Sequence, residues 1–147
     1  MPTESTQALN TVLHLSALLA TDLVRYEHES GLTGPRIQLL WALGQTGPST
    51  QQTLSTALGV TPRNITGLVD GLVASGHVTR EKHPTDRRAT LVTPTRPGDQ
   101  TIKDLQDSHE DLARQLFDRM SDQQVSAFVA TLSEVIATLQ ELMEEAT

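Results

Sequence analysis

The stretch GHVTREKHPTDRRATLVTPT, residues 76–95, decides how this chain is read. From Val78 to Lys82 the side chains alternate, with Thr79 and Glu81 on one face and Arg80 and Lys82 on the other, the period of an extended strand. Pro84-Thr85-Asp86 supplies turn chemistry, and Ala89-Thr90-Leu91-Val92 resumes an extended, partly β-branched run. The segment therefore predicts two short strands with Arg87 and Arg88 on a solvated tip, where they can reach a polyanion such as a phosphate backbone.

Working outward, Ile65, Leu68, Val69, Leu72 and Val73 lie three and four apart, an amphipathic helix capped by Thr61, begun by Pro62 and closed by Gly76. A shorter helix over 50–58, capped by Ser49 or Thr50, precedes it with Leu54 and Leu58 on one face. Gly59 stands between the two, as a tight helix-turn-helix needs, because glycine takes a left-handed backbone without a steric cost. Upstream, 5–29 reads as a helix on Leu9, Val12, Leu13, Leu19, Leu23 and Val24, ended by Gly31. Thr33 offers a cap for the next helix, with Pro35 in its first turn and Ile37, Leu39, Leu40, Trp41 and Leu43 as a largely buried run; Gly44 to Pro48 is a predicted turn. Downstream, one helix is expected from Thr95 to about Met120 on Ile102, Leu105, Leu112, Leu116 and Phe117. Another runs from the Ser121/Gln124 capping box to about Glu145. The predicted class is mainly α with a small β-wing: four helices, two strands and two helices, a winged helix-turn-helix between long helical arms.

Composition is consistent with that plan. A chain of 147 residues fits one domain, and with 37% apolar and 3% aromatic residues its core is aliphatic and small, so that sharing a core with a second subunit is expected. The absence of cysteine excludes disulfides, thiolate metal sites and thiol redox sensing. The N-terminus MPTESTQALN lacks a basic leader, and no apolar run is read as approaching membrane-spanning length, so a cytoplasmic protein without membrane partners is expected. Net charge is −7, yet residues 31–103 carry eight Lys and Arg against four Asp and Glu, while 104–147 carry two against ten. Basic charge is concentrated around the helix-turn-helix and the hairpin, and a nucleic-acid footprint is local.

The apolar stripe of the helix after Gly59 sets what faces outward at its start: Pro62, Arg63, Asn64, Thr66 and Gly67, then Asp70. Arg63 can make a forked pair with guanine, Asn64 with adenine, and Thr66 can offer its methyl to thymine or its hydroxyl to a base or phosphate. A merely solvated helix face is the alternative. Gly67 and Gly71, both on the outward side, are poor helix residues, read either as allowing close approach to DNA or as drift at exposed sites. On the wing, residues two apart in an extended chain share a face, so Asp86 and Arg88 are expected to pair, leaving Arg87 for phosphate.

Asp86-Arg87-Arg88 after His83-Pro84, with Gly76 and Arg80 before them and Thr95 and Gly98 after, resembles the MarR (multiple antibiotic resistance regulator) family over nearly the whole chain. Its pattern is close to G-L-V-x-R-x-x-D-P-x-D-R-R-x-x-x-V-x-L-T-x-x-G. Two departures stand out: His83 where the family often has Asp, which bears on the wing's charge, and Pro94 where it usually has Leu. The resemblance implies a dimeric transcriptional regulator, most often a repressor, with the wing Asp positioning an arginine in the minor groove. It also implies release of DNA by a small aromatic or phenolic effector bound between the dimer arms and the DNA-binding lobe.

The expected organisation is one MarR-like domain over 1–147, a DNA-binding lobe over 33–95, and dimerisation arms over 5–30 and 96–146. The arms' apolar stripes, Leu9, Val12 and Leu13 on the first and Val125, Phe128, Val129, Leu132, Ile136 and Leu139 on the last, exceed what a small winged helix must cover. A second copy is the simplest partner for them, and an intrachain bundle the alternative. His14, Arg25, Trp41 and His109 can line an effector cleft, though no effector residue is assigned. The five histidines show no zinc spacing, and neither metal nor cofactor is expected. No nucleophile elbow, phosphate loop or carboxylate–histidine set suggests an enzyme. The alternative function is a winged-helix protein-interaction module without DNA reading.

Overall fold

The computed structural model describes residue 1 and residues 3–147. The chain divides into two compact units, Met1–Leu105 and Gln106–Thr147. In the first, α1 (Glu4–Ser30) starts at Thr3, whose hydroxyl accepts the Thr6 N–H at 3.1 Å. In α2 (Gly34–Thr46), Thr33 has the extended backbone of an N-cap but makes no side-chain cap bond. Pro35 lies at the second helical position and has no N–H, so one of the two donors such a cap ordinarily engages is missing. The helix also runs through Gly44 rather than turning there. The Gly47 N–H still reaches the Leu43 carbonyl at 2.7 Å, and the Thr46 hydroxyl folds back on Ala42 at 3.1 Å.

A third strand was not expected. β1 (Ser49–Thr50) joins β2 (Val78–Lys82) and β3 (Thr90–Pro94) in an antiparallel sheet of order β1-β3-β2. Two polar residues are too few to display a period. They become a strand because β3 lies beside them, Ser49 opposite Val92 and Thr50 opposite Leu91. β3 begins one residue later than expected and ends at Pro94, opposite Val78 and beyond the span of β1, where no second neighbour needs its missing N–H. The Thr95 N–H then bonds the His77 carbonyl at 3.0 Å, and a side chain on Gly98 would collide with that carbonyl. This close approach accounts for a glycine at the start of α5 (Arg96–Phe117).

The helix-turn-helix, α3 (Gln51–Leu58) and α4 (Pro62–Ala74), packs on α2 and the sheet. Leu39, Leu40 and Leu43 of α2, Leu54 of α3, Ile65, Val69 and Leu72 of α4, and Val78 and Val92 of the sheet are buried, with Ile102 and Leu105 of α5 closing the cluster. Burying a Leu or Ile side chain contributes about 1.5–3 kcal/mol, so this cluster is the principal driving force for the lobe. Tyr26 of α1 packs against it, and burial, aided by the carboxylate of Asp104, raises its phenol above the usual range.

In the second unit, α6 (Asp122–Glu145) begins with the expected capping box: Ser121 accepts the Gln124 N–H at 3.2 Å, and Gln124 accepts the Ser121 N–H at 2.9 Å. The Phe117 and Phe128 rings meet at 5.8 Å between centroids. Neither α1 nor α6 has a fully buried residue. The reading that no run approaches membrane-spanning length needs correction. Among the described residues, the helix Asp122–Glu145 is long enough, and contains a stretch apolar enough, to cross a membrane by length and composition. Thr131, Ser133, Glu134 and Gln140 interrupt its apolar residues, so the sequence shows no continuous apolar run there. None of that stretch is buried within the chain.

Candidate nucleic-acid interface

The turn between α3 and α4 is locked by local bonds. Gly59 takes the left-handed backbone at φ 65°, and the Val60 N–H reaches Ser55 O at 3.1 Å. The buried Ser55 hydroxyl returns a bond to Val60 O at 2.7 Å. Thr61 then caps α4 by accepting the Asn64 N–H at 3.1 Å. With Ile65, Val69 and Leu72 turned into the core, Pro62, Arg63, Asn64, Thr66, Gly67 and Asp70 are all exposed, as the sequence period predicts.

These outward residues are not equivalent. The Thr66 hydroxyl donates to Pro62 O at 2.9 Å and accepts from Gln51 Nε2 at 3.1 Å. Gln51 Oε1 accepts from Arg80 Nε at 3.0 Å, and an Arg80 guanidinium N–H donates to Asp70 Oδ1 at 2.5 Å. The start of α3, the outer face of α4 and strand β2 are thus tied by one polar network. Thr66 and Asp70 are engaged in it. The side chains of Arg63 and Asn64 make no hydrogen bond or ion pair among the described residues, so they remain available to a ligand. Sequence reasoning missed Gln51 and the role of Arg80, because partners 15 and 29 residues apart leave no local pattern.

The two glycines separate. A side chain at Gly67 would meet open space, whereas at Gly71 it would run into the Arg36 guanidinium, 2.5 Å from its Nη2. Gly71 is half-buried and makes room for a side chain of α2, which corrects its placement on the outward face.

At the wing tip Arg87 and Arg88 are exposed. The expected Asp86–Arg88 ion pair is not formed: Asp86 Oδ1 accepts the backbone N–H of Arg88 at 3.0 Å instead. The ion pairs among the described residues are Arg25–Asp22, Arg80–Asp70 and Arg114–Asp111. The same-face rule holds for extended chain, and residues 83–89 are curled. The His83 N–H meets Ala89 O at 3.1 Å, and the Ala89 N–H meets Asp86 O at 3.1 Å. The Asp therefore shapes the backbone under Arg88 and leaves the guanidinium unpaired. His83 Nδ1 accepts the N–H groups of Thr85 and Asp86 at 3.2 and 3.0 Å. Between the tip and the start of α3 lies a polar cleft of about 480 Å³ lined by Thr50, Gln51, Gln52, Arg80 and Arg88.

Of the residues offered for an effector cleft, Trp41 lines an apolar recess of about 430 Å³ with Ile37, Ala42 and Leu58, and His14, Arg25 and His109 are not among its lining. Arg25 is paired with Asp22. No cluster of three metal-ligating side chains occurs among the described residues.

A sequence profile of the MarR family matches residues 30–89. The chain is 40% identical over 63 residues to the uncharacterized HTH-type transcriptional regulator YcgE of Bacillus subtilis, a match spanning 43% of this chain and 41% of that relative. Its fold is similar to that of AbsC, a MarR family transcriptional regulator from Streptomyces coelicolor, with TM-score 0.76 and 21% identity over 96% of this chain and 98% of that one. It is also similar to Streptococcus pneumoniae FabT, solved in complex with DNA, with TM-score 0.78 and 20% identity over 92% and 98% of the two chains. At these identities the two structures speak to fold alone. The family is one of transcriptional regulators, not enzymes. Residues 30–89 thus carry the MarR family's sequence pattern, within a fold similar to MarR-family structures over nearly the full length of the chain.

Proposed function

We propose that the protein is a dimeric, sequence-specific double-stranded-DNA-binding regulator that reads a pseudo-palindromic operator. The observation carrying this reading is that one lobe presents Arg63 and Asn64 without intramolecular partners at the start of α4, and Arg87 and Arg88 exposed at the wing tip. Arg63 and Asn64 have the donors and acceptors that read guanine and adenine edges in the major groove. Pro62 and Gly67 keep the helix N-terminus low and open, so that its free N–H groups and the backbone approach phosphate. Arg88, and Arg87 beside it, enter the minor groove or meet its phosphates, with Asp86 shaping the turn beneath them. Thr66 positions α4 through Gln51 and offers its methyl to a base. That FabT was solved with DNA supports this reading by analogy of fold.

In this reading residues 33–95 form the DNA-binding lobe, and 5–30 and 96–146 are arms that meet those of a second copy. Support comes from Leu9, Leu13, Val129, Ile136 and Leu139, which are 55–58% exposed. Val12, Phe128, Val125 and Leu132 extend the same stripes. A twofold dimer sets two recognition helices about one DNA turn apart, roughly 34–36 Å. Acting in the cytoplasm, it would be a repressor relieved by a small aromatic or phenolic compound. The apolar recess beside Trp41 is of a size for one.

Selection of bound fragments from the source genome, followed by gel shift on the recovered sequences, tests the proposal. The expected result is a palindromic site bound by two copies, with affinity falling steeply as salt rises through counterion release. A protein that shifts no duplex at low salt would instead be a winged-helix interaction module.

A further inference from the structure

The geometry at the wing tip points to a role for His83: we propose that it is the positioning residue of the wing, a neutral group that closes the turn as a turn-forming carboxylate would. The inference rests on the DNA-reading proposal for its consequence but not for its geometry.

The Nδ1 atom lies 3.2 Å from the Thr85 backbone nitrogen, 3.0 Å from that of Asp86, and 3.3 Å from the Thr85 hydroxyl. Backbone N–H groups only donate, so Nδ1 is the acceptor and the ring's proton sits on Nε2. Nδ1 is the same number of bonds from Cα as a carboxylate Oδ1. It can therefore close the turn by the side-chain-to-backbone bonding through which Asp and Asn form such turns. At the other end of the turn, Asp86 Oδ1 holds the Arg88 N–H at 3.0 Å, so the two side chains brace opposite halves of the tip. What differs from an Asp is charge. Residues 78–90 hold Arg80, Lys82, Arg87 and Arg88 against Glu81 and Asp86, and a carboxylate at 83 would cancel one more positive charge. His83 makes the turn without placing an anion next to the arginines that approach phosphate.

The test is a set of three full-length variants that separates the turn from the charge. In His83→Asn the amide resonances of Thr85 and Asp86 and the operator affinity stay near the parent's, within about two-fold, because the acceptor is kept and no charge is added. In His83→Asp the amides also stay, while affinity falls about three- to ten-fold at low salt, a deficit that shrinks as salt rises. In His83→Ala both amides move toward solvent-exposed positions and affinity falls about ten-fold with an unchanged melting temperature. Nitrogen-15 spectra of the neutral parent should show a bare Nδ1 and a protonated Nε2. A proton on Nδ1, or unmoved Thr85 and Asp86 amides in His83→Ala, overturns the turn role. Parent-like affinity of His83→Asp at low salt overturns the charge role. If the parent binds no duplex, the DNA reading fails, and the spectra still decide the turn.

Discussion

The lobe built from α2, α3, α4 and the sheet and the long helices α1 and α6 make opposite use of similar residues. In the lobe, Leu39, Leu40, Leu43, Leu72 and Val92 have at most 1% of their surface exposed. On α1 and α6, Leu13, Val24, Ile136, Leu139 and Met143 are more than half exposed, although their spacing is as regular. The lobe satisfies its apolar stripes within the chain. The helices α1 and α6 leave theirs uncovered, and exposed apolar patches of that kind mark interaction surfaces. The lobe is thus organised around its own core, whereas α1 and α6 have no fully buried residue.

The sharpest way to break that contrast is to charge the arms. Ile136→Glu together with Leu139→Glu should leave the lobe's melting intact yet give a monomer by light scattering. Operator affinity should fall by roughly 10²–10⁴ as two-site binding is lost. A monomeric parent, or a dimeric double variant, would remove the assignment of α6. Leu72→Ala should do the reverse: dimerisation through the arms persists while the lobe loses about 2–5 kcal/mol in chemical denaturation, because the buried site cannot collapse fully. Within the lobe, Arg63→Ala should relax preference at one base position per half-site by roughly 1–3 kcal/mol. Arg88→Ala should lower affinity for all sequences and reduce the salt slope by about 0.9 per half-site. Equal base preference in the Arg63 variant would exclude it as a base reader. The smallest effect sharpens the two glycines. Gly67→Ala should raise stability by up to about 1 kcal/mol, since its Cβ meets nothing, whereas Gly71→Ala gains less or loses, since Arg36 must move. Thermal melts that rank them the other way would contradict the packing of Arg36 on α4.

Much of this was legible in the chain. The caps at Thr50, Thr61 and Ser121, the left-handed Gly59 and the burial of Ile65, Val69 and Leu72 follow from rules acting over three or four residues and are found where those rules put them, while Val73, on the same expected stripe, is exposed. What the chain conceals lies where the rule of one conformation meets another. Residues two apart pair along an extended strand, but the tip that carries Asp86 and Arg88 is curled. Gly71 has no side chain to register burial in the sequence, and only the position of Arg36 on α2 reveals its purpose.

By itself the sequence determined the helices, the hairpin and the exposed start of α4, because caps, glycines and apolar periods are local and act before the chain is compact. Only the tertiary structure decided which outward groups are engaged. The Arg80–Gln51–Thr66 chain and the Arg80–Asp70 pair join residues distant in sequence, and they separate the committed Thr66 and Asp70 from the available Arg63 and Asn64. β1 and the acceptor role of His83 belong to the same class. A hydrogen-bond partner is chosen by three-dimensional proximity, and that is settled only when the core has set α3, α4 and the wing side by side.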